Sequence, residues 1–275
     1  MAKKKVSVSS APVSDPDFMV SLARGLSVIR AFGDGQEPLT VADVAKLTGL
    51  SRAASRRCLH TLCVLGYASR ASATYELTPA VLALGYAYVG STALTRAAQP
   101  VLERVSEQLH ESSSMAVLDG DEIVYVARAA TRRILSIGLA VGTRLPAACT
   151  SMGRMLLSQL DDDALKRYVA RVRLVSHTPR TITDRGELRA VLEQVRNRGF
   201  ALVDQELELG LRSVAVPVRG ADGLAVAAIN IGVHVGRADA RQLEREFVPV
   251  LRAAADEIAG TLSPLRIGQS ARKKP

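Results

Sequence analysis

The stretch that decides the N-terminal fold reads TVADVAKLTGLSRAASRRCLHTL, residues 40–62. Thr40, followed three residues later by Asp43, is a capping-box pattern and predicts that a helix begins there. Gly49 should end this short helix, and Ser51 can cap a second one. Two short helices joined by a tight glycine turn match the plan of a helix-turn-helix.

The flanking sequence predicts a winged form of this motif. Apolar residues recur at helical spacing from Met19 to Phe32, which indicates one more helix in front of it. After the second helix, which should end near Leu65, residues 66–70 and 74–77 flank a small polar turn and predict a β-hairpin, the wing. Thr78-Pro79, an N-cap residue followed by Pro at the first helical position, then predicts the start of an apolar helix over 80–89.

The distribution of charge points to a polyanionic partner. The chain carries a formal net charge of +9, yet residues 93–265 are nearly neutral. Between Val44 and Tyr75 there is no carboxylate, and this block holds five basic residues: Lys46, Arg52, Arg56, Arg57 and Arg70. Such a local basic excess is what contact with phosphates requires. The alternative is a solvated basic surface, which would suit the chain's basic ends as well.

Bulk composition excludes several classes of protein. A length of 275 residues favours two domains, and 48% hydrophobic residues suffice for their cores. Three cysteines without CxxC spacing indicate reduced thiols in a cytoplasmic protein. A helix would place Cys58 and Cys63 on different faces, so no metal site is expected. No apolar stretch reaches ~18 residues, and the basic start lacks an apolar core, so neither a membrane span nor a signal peptide is expected.

The remaining sequence predicts an α+β domain with a mainly antiparallel sheet. Its strands should include a hairpin around Asp119-Gly120-Asp121 and another around Ala221-Asp222-Gly223. The predicted strands are 115–118, 122–128, 134–141, 201–204, 213–218 and 224–233. The predicted helices are 94–110 with Pro100 as a kink or the true start, 151–160 capped by Thr150 or Ser151, 161–170, one from the capping box at 184–187 to Gly199, and 239–262.

Several separated segments resemble the IclR family of bacterial regulators, in the family's order. They read LARGLSVIRAF (22–32), LTVADVA (39–45), TGLSRAASRRCLHTL (48–62), YELTPAVLALGY (75–86), GTRLPAACTSMGR (142–154) and GLRS (210–213). The resemblance covers about residues 20–262. The RAASRR helix together with ACTSMGR further resembles the branch that controls aromatic-acid catabolism through the β-ketoadipate pathway.

The resemblance implies an α+β multidomain protein with a winged helix-turn-helix, a linker helix and a GAF-like effector-binding domain with an antiparallel sheet. The implied organisation is a disordered basic arm (1–17), the DNA-binding domain (18–78), the linker helix (79–92), the effector domain (93–264) and a disordered basic tail (265–275). It also implies a homodimer or dimer of dimers on a palindromic promoter, and RNA polymerase as a partner if the protein activates. The implied effector is a small carboxylate of aromatic catabolism such as protocatechuate, 4-hydroxybenzoate or β-ketoadipate.

Candidate DNA contacts lie on and around the second helix. Arg52, Ala53, Ser55 and Arg56 are predicted to face the groove, since Arg pairs with guanine and a small Ala permits close approach. Arg57 and His60 are predicted phosphate contacts, and Thr40 and Arg70 are weaker ones. The full predicted set is Thr40, Ser51, Arg52, Ala53, Ser55, Arg56, Arg57, His60 and Arg70.

Candidate effector contacts are carried over from the family by position. They are Thr150, Ser151, Met152, Asp204, Ser213, Asn230 and Gly232. Helix capping and internal hydrogen bonding are the alternatives. Some family members have Ser in place of Asn230 and Gly232, so ligand identity does not transfer. An acid's charge could be neutralised by any of four arginines: Arg128, Arg144, Arg154 and Arg212.

Three other functions stay open at this point. A regulator that answers to a non-aromatic carboxylate, such as a short keto acid, would share every motif. A hydrolase could use Ser151 with His177 and Asp204, although the G-x-S-x-G elbow is missing. A winged-helix adaptor would leave the carboxylate-free block unexplained. Neither G-x-G-x-x-G nor a P-loop occurs, so no cofactor is expected.

Overall fold

The structure is a computed structural model, and it describes residues 15–34, 38–85, 92–131 and 139–262. These residues fall into two compact units, 15–85 and 92–262. Within the described ranges, every helix is too short or too polar to cross a bilayer. The predicted basic arm and basic tail lie largely or wholly outside these ranges.

The first unit is a winged helix-turn-helix, as the sequence predicts. A three-stranded antiparallel sheet of order β1-β3-β2 packs beside three helices. The elements are α1 (Val20–Ala31), a 3-10 turn (Phe32–Asp34), β1 (Leu39–Thr40), α2 (Val41–Thr48), α3 (Arg52–Val64), β2 (Ala68–Ala71) and β3 (Thr74–Leu77). Its core is built mainly from aliphatic side chains, among them Val28, Leu39, Val44, Leu59 and Leu62.

Local capping fixes the two helices of the motif. The Thr40 hydroxyl accepts a hydrogen bond from the Asp43 backbone N–H (3.2 Å), and the Asp43 carboxylate accepts one from the Thr40 N–H (3.0 Å). Gly49 ends α2 with φ 72°, a left-handed conformation that glycine adopts without strain. Ser51 then caps α3 by accepting from the Ala54 N–H at 3.2 Å. These signals are therefore confirmed.

The helix predicted over 80–89 is described only in part. It begins as a 3-10 turn, Pro79–Val81, and residues 82–85 are helical. The rest of the predicted segment lies outside the described residues. The domain boundaries proposed around it stay a prediction.

The second unit is an α+β domain around a six-stranded sheet. The strand order is β6-β5-β4-β9-β8-β7, and all neighbours are antiparallel, which confirms the predicted architecture. The strands are β4 (Ser112–Asp119), β5 (Glu122–Ala129), β6 (Arg144–Pro146), β7 (Ala201–Asp204), β8 (Leu211–Arg219) and β9 (Ala225–His234). The helices are α4 (Ala93–Leu109), α5 (Ser151–Leu157), α6 (Asp162–Arg171), α7 (Arg185–Arg198), α8 (Ala240–Gln242) and α9 (Val248–Leu262).

Two apolar clusters occupy the two faces of this sheet. On one face α4 and α9 pack against inward-facing strand residues such as Val214 and Ile229. On the other face α5, α6 and α7 pack against residues such as Ala116 and Ala228. The second face carries the cavity described below.

Several predicted boundaries need correction. No strand forms over Leu139–Val141, the described part of the segment predicted over 134–141. Gly142 turns the chain with φ 90°, and only after it does β6 pair with β5. The helix predicted over 151–160 ends at Leu157, where the Ser158 hydroxyl donates to the Met155 carbonyl (2.7 Å). The predicted closing helix contains a π-helical turn, Leu243–Phe247.

Candidate functional site

The exposed face of α3 forms the candidate nucleic-acid interface. Of the six predicted contacts in α3, five have exposed side chains: Arg52, Ala53, Arg56, Arg57 and His60. The opposite face of α3 carries Leu59 and Leu62 in the core. A helix exposed in this way can enter a major groove with its arginines towards base edges and phosphates.

Ser55 does not belong to this face. Its side chain is fully buried, and its hydroxyl has no hydrogen-bond partner among the described residues. Ser55 precedes Leu59 and Leu62 by four and seven residues, so helical periodicity places it on the core side. The prediction that Ser55 faces the groove is therefore wrong.

The predicted contacts outside α3, which are Thr40, Ser51 and Arg70, have local structural roles. Thr40 and Ser51 are the helix caps described above. In the wing, the Arg70 Nε donates to the Ser72 carbonyl at 2.8 Å, and its guanidinium lies 5.7 Å from the centre of the Tyr75 ring. These contacts hold Arg70 in place on the wing.

Sequence reasoning missed one basic residue near α3. Burial raises the pKa of the Cys58 thiol, and the charges of Arg24 and Arg57 act against this rise. Arg24 is an exposed residue of α1, a helix that packs against α3 in the core of the first unit. Only tertiary packing brings it there, so no local pattern could have revealed it.

A cavity of about 50 Å³ lies in the second unit between the sheet and the start of α5. Six of the seven predicted effector contacts line it: Thr150, Ser151, Met152, Ser213, Asn230 and Gly232. The structure therefore brings these six residues together around one space.

Strand register explains why the space exists. Ser114 of β4 is paired with Arg128 of β5 on one side and with Asn230 of β9 on the other. A second row, two residues along, joins Ser112, Gly232 and Ser213. These side chains are mostly short and polar, so the sheet cannot fill the gap beneath α5. The run Ser112-Ser113-Ser114 inside a buried strand was the sequence signal that could have revealed this wall.

Asp204 is not part of the cavity. Its neighbour Val203 lines the cavity, and alternation along β7 turns Asp204 to the other side. There its carboxylate accepts from Arg212 (3.0 and 3.1 Å) and from Arg180 (3.0 Å). Burial alone would raise the pKa of Asp204, but the hydrogen bonds and charge of Arg212 outweigh it and lower the pKa.

The four candidate arginines differ in their partners. Arg144 pairs with Asp119 and Glu122 near the surface, and Arg212 pairs with Asp204. Arg154 forms a buried bidentate pair with Glu206, at 2.6 Å for both contacts. Arg128 lines the cavity and pairs with no carboxylate of the described residues.

Two further titratable groups face the cavity as neutral side chains near pH 7. Burial raises the pKa of Tyr125 to about 12 and that of Cys149 to about 11. In the described part of the chain, no three His, Cys, Asp or Glu side chains come together as metal ligands would. The cavity lining therefore combines neutral polar groups, apolar walls, the Arg128 guanidinium and the carboxylates of Glu206 and Glu208.

Family models match both units. The IclR helix-turn-helix domain matches residues 21–72, and the C-terminal domain of bacterial IclR transcriptional regulators matches residues 86–260. The chain belongs to the IclR family. The resemblance seen in the sequence is thus confirmed, and the winged helix of this IclR chain is a DNA-binding domain by family.

Individual relatives cover most of this IclR chain. The Pca regulon regulatory protein of Pseudomonas putida is 52% identical over 90% of the chain and 86% of its own length. The p-hydroxybenzoate hydroxylase transcriptional activator of Acinetobacter baylyi is 37% identical, covering 91% and 94%. A transcriptional regulator from Rhodococcus has a crystal structure that is 48% identical, with a TM-score of 0.82 over 90% of this chain and 100% of that one.

One similar structure contains a small molecule. It is an IclR homologue from Microbacterium hydrocarbonoxydans in complex with 4-hydroxybenzoate, 26% identical, with a TM-score of 0.77 over 89% of this chain and 99% of that one.

Proposed function

We propose that this IclR chain is a ligand-responsive, sequence-specific DNA-binding regulator of an operon for aromatic-acid degradation. The proposed effector is protocatechuate, 4-hydroxybenzoate or β-ketoadipate, bound in the cavity of the second unit. The observation that carries this proposal is a cavity with apolar walls and an arginine that pairs with no carboxylate of the described residues, in a chain half identical to a Pca regulon regulator. A small aromatic acid is complementary to that lining.

The proposed organisation follows the sequence expectation. Residues 18–78 bind DNA, 79–92 link the domains, and 93–264 bind the effector. The protein would act in the cytoplasm as a homodimer or dimer of dimers, because a palindromic site mirrors two-fold protein symmetry. Contact with RNA polymerase would apply if it activates transcription.

The hydrolase alternative has little support at Ser151. Its hydroxyl is buried and has no hydrogen-bond partner in the described part of the chain, so no base is placed to activate it. His177 does not line the cavity, and Asp204 is engaged by two arginines. We therefore propose that the protein is not an enzyme.

DNA recognition is tested by separating base from phosphate contacts. On an operator selected from a randomised duplex library, Arg56→Ala should weaken binding by ~1–3 kcal/mol and relax sequence preference. Arg57→Ala should weaken binding equally on every sequence and reduce its salt dependence. Fluorescence anisotropy at two salt concentrations measures both, with Arg189→Ala in the second unit as the matched control. Wild-type operator affinity in the Arg56 variant would contradict the assignment.

Effector recognition is tested with the same operator complex. One of the three aromatic-pathway acids should raise the thermal stability of the protein and change its operator affinity, since a ligand of the native state stabilises that state. Pyruvate represents the short keto acids. A response to pyruvate alone would replace the aromatic proposal with the keto-acid alternative.

A further inference from the structure

Arg128 reaches the cavity because of an irregularity in the sheet. Ile123 and Tyr125 belong to the cluster on the cavity face, whereas Val126 and Ala127 both belong to the cluster on the opposite face. Strict alternation along β5 would have turned Arg128 away from the cavity. A register shift opposite Met115 and Ala116 places two consecutive residues of β5 on one face, as in a β-bulge. Arg128 therefore returns to the cavity face.

The bonding of Arg128 is incomplete. One of its terminal nitrogens, Nη1, donates to the Ser114 hydroxyl at 3.0 Å. Its Nε is buried and has no hydrogen-bond partner among the residues that the structure describes. Arg128 is half-buried, and burial lowers its pKa. A guanidinium stays protonated in proteins, so Arg128 brings a positive charge to the cavity without a carboxylate partner among the described residues.

Two other arginines of the same domain have carboxylate partners. Arg154 has a bidentate carboxylate partner in Glu206, and Arg212 has one in Asp204. These pairings satisfy the fork of the guanidinium with two parallel hydrogen bonds. Arg128 has no such partner among the described residues, and it lines the cavity.

We propose that Arg128, oriented by Ser114, binds the carboxylate of the effector. This inference rests on the proposed function and assigns a role that the sequence left open among four arginines. Asn230, the neighbour of Ser114 across the sheet, lies in the same row and presents amide groups beside the bound carboxylate. The planar fork of Arg128 selects a carboxylate over an uncharged amide of the same shape.

The test uses the full-length protein and isothermal titration calorimetry. The probes are 4-hydroxybenzoate, protocatechuate, β-ketoadipate, pyruvate and the uncharged 4-hydroxybenzamide. Arg128→Met should weaken binding of the effector acid by about ten- to a hundredfold, the worth of charge-assisted hydrogen bonds. Arg144→Met, which removes a surface arginine paired with Asp119 and Glu122, is the matched control and should leave the affinity unchanged.

Each outcome of the titrations supports or overturns either the role of Arg128 or the proposed function. Equal affinity of wild type and Arg128→Met for the acid overturns the role of Arg128 and leaves the proposed function standing. If the wild type binds none of the acids, the proposed function fails, and the role of Arg128 falls with it. Differential scanning calorimetry of the second unit reports whether Arg128→Met is folded. If it is not, the wild type must still prefer 4-hydroxybenzoate over 4-hydroxybenzamide at least tenfold, and equal affinities would overturn the proposal.

Discussion

The buried pair of Arg154 and Glu206 should be the most stability-critical contact beside the cavity. Both side chains are almost fully buried, at 3% and 7% exposure, and two N···O contacts of 2.6 Å join them. The Arg154 Nε also donates to the Ala148 carbonyl (2.8 Å). Glu206 additionally accepts from the Ile182 N–H at 3.1 Å. The pair thus ties α5 to two loops, one of which lines the cavity.

Replacing Arg154 with Met keeps the length and apolar stem of the side chain but removes its charge. The Glu206 carboxylate then stays buried, and among the described residues only the Ile182 N–H still donates a hydrogen bond to it. Breaking a buried pair in this way costs about 3–5 kcal/mol, because a charge remains without compensation. For a domain of this size each kcal/mol lowers the melting temperature by about 2–4 °C, so the expected fall is about 6–20 °C.

Differential scanning calorimetry can resolve the transition of the second unit. The matched control is Arg189→Met, whose Nε–Glu193 contact of 3.0 Å joins two side chains that are more than half exposed. This surface pair is worth about 0.3–0.5 kcal/mol, or about 1–2 °C. A fall for Arg154→Met no larger than that of the control would refute the reasoning. Arg154→Met combined with Glu206→Met should recover most of the loss, because no buried charge remains.

Three further substitutions test other parts of the structure. Ser55→Ala should stabilise the first unit by about 1 kcal/mol in urea unfolding, because it removes a buried unpaired hydroxyl, and a loss of operator affinity would restore Ser55 as a contact. Gly153→Ala should lower the melting temperature, since a Cβ would lie 2.2 Å from the Ala147 carbonyl oxygen; a gain, as helix propensity alone predicts, would contradict this packing. Because the pKa of Asp204 is lowered, its carboxylate stabilises the fold at pH values above its ordinary pKa of ~3.9. That stabilisation is lost as the pH falls through the lowered pKa of the folded protein. Asp204→Asn should therefore lower stability at pH 7 and lose this effect in acid, and an equal effect at both pH values would count against the Arg212 pairing.

Local signals explain what the sequence could predict. Thr40, Ser51 and Asp184 are caps whose partners lie three residues away, so their geometry is encoded within one helical turn. Gly49 and Gly199 end helices with positive φ for the same local reason. These residues fix where helices begin and end without information from the rest of the chain.

The errors concern which face a side chain occupies. Ser55 was assigned to the DNA face although its spacing to Leu59 and Leu62 places it in the core. Asp204 was assigned to the cavity, yet one residue of alternation separates it from Val203, which lines the cavity. A strand paired one residue out of register presents every side chain on the opposite face of the sheet. The sequence of a four-residue strand does not fix which of its residues lie on which face.

Arg128 is the clearest case of a residue whose face could not be predicted from the sequence of its own strand. The alternating pattern of β5 assigns its end to the wrong face, because the register shift depends on pairing with β4, a different strand. The decisive information is instead electrostatic. Glu206 and Asp204 already compensate Arg154 and Arg212, so a ligand carboxylate placed near either would meet a like charge close by. Arg128 lines the cavity and, among the described residues, has no carboxylate partner that an anion would have to displace. The β-bulge that breaks the alternation of β5 therefore also turns the Arg128 guanidinium towards the cavity.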